Sequence, residues 1–339
     1  MNATNRVSRR PRLEQHRHIV AMCVAATTLT ATLGGWTPTP GAAWSIVIVA
    51  IVVALPHGAL DVVIGPRLIN PTLFFGMYLA AALGIVLVWL TAPPLGVVTF
   101  FLSSWYHFAS GDAVHHRNLA RAGEVLGVST AGCAIGLPLV LHARLVTPPL
   151  SALMLGTTSV TSDQVAFLGS IIAAPSLVAG LVAGHAALRI RRYSAVVEFA
   201  TIAVVAAAVH PLVSFSIYFA LWHAPRHLLT LDIELQDWWR AAWATAGTLL
   251  VAAGVWRLLE PAAPNAARVV FIGLAALTGP HLAVTELLRS RPTPQISMNS
   301  GRTIHPSGEQ KGLPSPTWHR RHERTRSRSC RRSRDLRWP

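Results

Sequence analysis

Charge is scarce in this 339-residue chain. Only 13% of its residues are Asp, Glu, Lys or Arg, about half of what a soluble domain carries. With 52% hydrophobic residues and a mean hydropathy of +0.45, an ordinary water-soluble globular protein is excluded. Cysteine is scarcer still: Cys23, Cys133 and Cys330 sit in two hydrophobic segments and a terminal tail, so neither a disulfide framework nor a cysteine-built metal site is expected. Internal repeat symmetry, the mark of many transporters, is missing as well. Apolar residues themselves become rare after Leu288. From Arg289 onward thirteen Lys and Arg face only Glu309, Glu323 and Asp335, so most of the net +15 charge lies there, in a stretch unable to bury a core. Such a tail can meet nucleic acid or anionic lipid. The simpler reading, a disordered extension or a read-through of the gene's end, is preferred, and no nucleic-acid partner is expected.

What is present is long apolar blocks. A helix needs roughly 20 apolar residues to cross the hydrocarbon of a bilayer. Hydropathy and Pro/Gly punctuation give spans at about 19–35, 43–64, 73–91, 96–112, 122–141, 164–187, 195–209, 211–229, 241–258 and 267–288. The seventh and eighth, separated only by His210-Pro211, form either a tight hairpin or one broken element. The expected fold is therefore all-α, a polytopic transmembrane helical bundle of eight to ten spans. A basic stretch (Arg6, Arg9, Arg10, Arg12, Arg17) precedes the first apolar run, which reads as a retained signal-anchor. Placing that stretch in the cytoplasm puts Arg67, Arg117, Arg121, Arg189, Arg191 and Arg192 on the same side. Three parts follow: 1–18, a basic cytoplasmic segment; 19–288, a transmembrane catalytic domain; and 289–339, the basic tail. Both termini are expected in the cytoplasm and the protein in the cell (inner) membrane.

Ionisable residues inside a membrane are costly and usually functional. Here they are mostly histidines. His57, His107, His223 and His227 close inward-running spans, so they lie near one membrane face and can converge. A lone histidine of this kind can equally bond a neighbouring helix carbonyl. His223 and His227, four residues apart, stand on one helix face, and Pro225 between them kinks the backbone. An all-imidazole site suits Fe, Cu, Zn or Ni and disfavours Mg or Ca. Asp61 and Asp112 follow His57 and His107 closely enough to orient an imidazole N–H. Glu198 and Glu286 are placed to do the same, or to balance Arg226. His281 is a fifth ligand, a substrate-channel residue or a helix-start histidine. Trp105, Tyr106, Phe108, Tyr218, Phe219 and Trp222 flank the ligand candidates, as an interface belt or as an aromatic wall along a polyene.

At these residues the sequence resembles the Brp/Blh family of membrane β-carotene 15,15′-dioxygenases. The matching pieces are PHGALD at 56–61, WYHFASGD at 105–112, YFALWHAPRHL at 218–228 and PHLAVTE at 280–286. The resemblance implies a non-haem Fe(2+) enzyme that uses O2 to cleave the central double bond of β-carotene, drawn from the lipid bilayer, into two all-trans-retinal molecules. A rhodopsin is the expected user of that retinal. Carried over residue by residue, the iron ligands fall on His57, His107, His223 and His227, with no catalytic residue beyond the metal site. Asp61, Asp112, Tyr106, Trp222, Arg226 and His281 then belong to the surrounding shell or the substrate channel. Ala109 departs from the family's glycine after the His-Phe pair, and the stretch 144–164 matches poorly. Three other readings compete: a transporter or proton relay built on intramembrane histidines, a bis-histidine haem carrier, and a di-iron desaturase. The last needs several H-x3-H boxes, and this chain has only His223 to His227.

Overall fold

The computed structural model describes residues 34–116, 119, 121–231, 233–259 and 263–290, together with 19, 20, 23, 24, 26–28 and 30. All of them fall in the unit of the chain that runs to Pro292. Of the expected first span, 19–35, ten residues are described, those from 19 to 30 as helix, whereas the basic tail beyond Ser290 and the segment 1–18 lie outside the described residues. Among those described, the structure is helix and connecting turn, with no strand.

The helices in order are α1 (Pro40–Ala54), α2 (Pro56–Ala59), α3 (Asp61–Leu68), α4 (Pro71–Thr91), α5 (Pro93–His115), α6 (Arg121–Leu141), α7 (Ala143–Leu153), α8 (Ser162–Arg189), α9 (Tyr193–Ala208) and α10 (Pro211–Ser216). A π-helical stretch (Ile217–His223) then leads into α11 (Ala224–Thr230), followed by α12 (Leu235–Leu258) and α13 (Ala263–Ser290). Proline opens α1, α2, α4, α5 and α10, where its fixed φ suits the first turn and its missing N–H costs nothing. Asn70 caps α4 by accepting the N–H groups of Thr72 and Leu73, and Thr161 and Gln164 form a reciprocal capping box on α8.

Among the described residues, six helical stretches are long and apolar enough to cross a membrane: Pro40–Leu68, Pro71–Thr91, Arg121–Leu141, Ser162–Arg189, Leu235–Leu258 and Pro264–Ser290. Tyr193–Ala208 is apolar but shorter. On α4, Leu79, Leu83, Leu87 and Leu90 are exposed at helical spacing, the face a lipid-bathed helix presents. The chain is a multi-pass membrane protein. Helix α5 is long but carries His107, Ser110 and Asp112 in its second half, because that half faces the interior.

Small residues let α6 sit centrally. A Cβ at Gly136 would lie 2.7 Å from the Ala173 backbone nitrogen on α8, and one at Gly127 would lie 2.6 Å from that of Ala113 on α5. Close backbone approach of this kind holds helices together where lipid offers no hydrophobic gradient between them. Helix α7 falls in a stretch for which no helix is expected from hydropathy. Its N-terminal neighbour His142 bonds the Ala207 carbonyl through Nε2 at 3.0 Å. At its other end the Trp89 indole N–H donates to the Leu153 carbonyl at 2.9 Å, and Arg268 Nε–H donates to that of Ala152 at 2.9 Å.

Candidate metal centre

Four buried imidazoles, His57, His107, His223 and His281, meet in the interior, with half-buried His227 beside them. The His107 and His223 Nε2 atoms are 3.0 Å apart, and ligand atoms of His57, His107 and His223 all lie within 4.8 Å of one another. The His281 ring lies 4.8 Å from that of His107 and 5.3 Å from that of His57, centroid to centroid, and the His227 ring 5.4 Å from that of His281.

Local backbone breaks aim these rings. Pro56 interrupts the rod that begins at Pro40, and past it the Gly58 N–H turns to the Leu55 carbonyl at 3.1 Å. His57 Nδ1–H takes the Ala54 carbonyl at 2.5 Å, which leaves Nε2 as the free lone pair. A second break is the π turn. The Ala224 N–H reaches back five residues to Phe219, and Pro225 next in line has no N–H to return. In a regular α-helix, a row of every-fourth residues drifts about 40° per step around the axis. The wider π turn takes up that drift, and the rings of Phe215, Phe219, His223 and His227 follow one another at 5.5, 6.4 and 6.5 Å with interplanar angles of 14°, 10° and 19°.

Polar partners surround the cluster. Asp61 accepts from His281 Nδ1–H at 2.9 and 3.0 Å and from the Tyr78 hydroxyl at 3.3 Å. His281 Nε2 and His107 Nδ1 are buried without a hydrogen-bond partner, and an unpaired buried nitrogen is costly. Two Nε2 atoms face to face, an orphaned Nε2 and a carboxylate-held imidazole are what a cation-binding set leaves on its protein side. The residues fit a late first-row metal. Behind His223, Arg226 bonds Glu198 at 2.9 Å, lies 3.7 Å from Asp112 and stacks 3.9 Å over the Trp222 ring. Tyr218 donates to Asp112 at 2.8 Å, and His116 lies 3.6 Å from Glu198.

A cavity of about 250 Å³ runs from His57, His107 and His281 into an apolar interior. Phe219, Phe215, Phe271 and Phe100 line it, each ring within 6.2 Å of the next, and Trp89 continues the row behind Phe100.

Several readings from the sequence change in three dimensions. Asp61 serves His281, 220 residues away, rather than its sequence neighbour His57. Asp112 serves Tyr218 and Arg226. Glu198 does balance Arg226, whereas Glu286 pairs with Arg289 at 2.6 Å on the helix end. Tyr106 is 52% exposed and stands apart from the cluster, and Trp222 is buried under Arg226 rather than along the cavity. Of the expected aromatic wall, Phe108 and Phe219 line the cavity. Tyr78, Phe100, Phe215 and Phe271 escape sequence reasoning. Phe215 alone had a signal, its four-residue register with Phe219, His223 and His227.

Fold and site define a class: a multi-pass helical membrane protein whose buried histidines close one end of an apolar cavity. The chain belongs to the β-carotene 15,15′-dioxygenase family, whose sequence model matches residues 48–289. It is 27% identical over 267 residues to the β-carotene 15,15′-dioxygenase of an uncultured marine bacterium, 66A03, covering 72% of this chain and 93% of that relative. No solved structure matches it.

Proposed function

We propose that this protein is a ferrous-iron dioxygenase that cleaves the central 15,15′ double bond of β-carotene with O2, giving two molecules of all-trans-retinal. The observation that carries the reading is the convergence of His57, His107 and His223, the first two lining an apolar cavity, in a chain of this family. Each carbon of the broken bond takes one oxygen atom, so O2 is consumed whole and no reductant is needed. Bound iron supplies the redox chemistry with O2 that no side chain here performs.

The ligands in this reading are His57, His107, His223 and His227, and His281 offers its free Nε2 to the same space. The Ala54 carbonyl and the Asp61 carboxylate hold two of these imidazoles in one tautomer and orientation. The phenylalanine row takes up the polyene and keeps water from it. No general base is required, because neither product carbonyl needs a proton moved. The carotene reaches the cavity from the bilayer of the cell membrane, and a rhodopsin is the natural acceptor of the retinal. Both termini lie in the cytoplasm, where Arg67, Arg121, Arg189, Arg191 and Arg192 mark the inner ends of the helices. Residues 19–288 form the catalytic domain between a basic segment, 1–18, and a basic tail, 289–339.

The test is retinal formation in cells that make β-carotene, with the intact protein or His223→Ala, alongside the iron content of the purified protein. Retinal and iron with the intact protein, and neither with the variant, is the expected result. Unchanged carotene in membranes holding folded, iron-loaded protein would sink the assignment.

A further inference from the structure

An all-trans carotene carries no polar group for a protein to hold, and the double bonds along its middle resemble one another. Hydrogen bonding therefore cannot choose the central bond. A site that breaks one bond reproducibly must measure from an end of the molecule, by contact.

The cavity has such an end. On α13, His281 and Phe271 both line it, ten residues apart, which is about 15 Å of depth at the rise of an α-helix. On α5, His107 and Phe100 do the same over about 10 Å. Beyond the phenylalanines stand residues of α7: Val146, Pro149, Leu150 and Leu153. Leu150 and Leu153 are only 5% and 4% exposed and belong to one packed cluster with Trp89, Val97 and Leu139. The helix is fastened to three others: by Trp89 from α4, by Arg268 from α13, and by His142 to the α9 carbonyl of Ala207. This is a fixed wall, at a depth of the order of half an extended carotene.

We propose that α7 is the stop against which one end of the polyene seats, with Leu150 and Leu153 as its contact residues, so that its position selects the bond presented to the histidines. The inference rests on the carotene-cleaving reading above and adds what sets its regiochemistry. Moving the stop shifts the broken bond. The products are then two aldehydes of unequal length, each still carrying one atom of O2.

The experiment uses the full chain in carotene-producing membranes, with all aldehydes resolved by length. Leu150→Ala with Leu153→Ala deepens the seat, and Leu150→Phe makes it shallower. Each is expected to raise unequal pairs relative to retinal about tenfold, the discrimination that one misplaced methylene carries in an apolar pocket. Retinal alone from both variants, at the intact protein's yield, would overturn the stop while leaving the cleavage reading intact. No aldehyde of any length from the intact, iron-loaded protein would instead remove the reading beneath it.

A second measurement does not depend on turnover. In a background with Cys23, Cys133 and Cys330 replaced, Leu150→Cys is labelled with a lipid-soluble maleimide in iron-depleted membranes. β-Carotene is expected to abolish the labelling, and labelling unchanged by carotene would overturn the proposal.

Discussion

At the scale of single residues, hydrogen bonds at Nδ1 fix two of the imidazoles, His57 and His281. His281 shows this most clearly: Asp61 holds Nδ1, and Nε2 is buried without a partner. Removing such a carboxylate typically lowers metal affinity or activity by about 10–100-fold. Asp61→Ala is therefore expected to lower iron affinity by that range, and Tyr78→Phe by less, as read by iron retained during titration with a chelator. Arg226 is a different case. It compensates Glu198 and Asp112 in a buried setting, and truncating one partner of such a set costs about 3–5 kcal/mol. Arg226→Met should lower the thermal unfolding midpoint in detergent, and adding Glu198→Gln should recover part of the loss by removing a stranded charge.

At the scale of elements, two devices matter. The π turn keeps Phe215, Phe219, His223 and His227 in one row. Deleting the exposed Leu221 takes out a residue of that turn and returns the segment to regular α-helix. The variant is expected to insert and keep its helical circular dichroism while losing bound iron; retained iron would show that the row does not need the π turn. Pro225 made a kink foreseeable, but not its kind, since a proline kink and a π turn look alike in sequence. The other device is the glycine seam between α6 and α8. Gly136→Val forces a side chain against the Ala173 backbone, and overpacking of this sort costs about 1–3 kcal/mol. A lower unfolding midpoint with unchanged iron per folded molecule is the expected outcome, because the seam supports the bundle without touching the histidines.

At the scale of the whole molecule, the proposed catalytic domain is residues 19–288. Truncation after Ser290 is accordingly expected to leave retinal formation in carotene-producing cells unchanged. A large loss with normal membrane levels would give the basic tail a part in the reaction.

The sequence by itself determined the membrane class, because long uncharged runs have no other stable home, and it singled out the histidines, because a polar ring in such a run must have a use. His57, His107, His223 and His227 could be named together because all four close inward-running spans; ligand atoms of the first three lie within 4.8 Å of one another. Only the tertiary structure decided which polar group serves which ring. Asp61 is four residues from His57 yet takes His281, because the breaks at Pro56 and Leu60 turn the backbone between them. It also decided the cavity and the placing of α7 against it. Phe100, Phe215 and Phe271 read as ordinary membrane residues, and the 143–153 stretch with its paired prolines reads as a loop. An apolar wall differs from an apolar lipid face only in what lies opposite it, and that is a property of the packed bundle, not of any one segment.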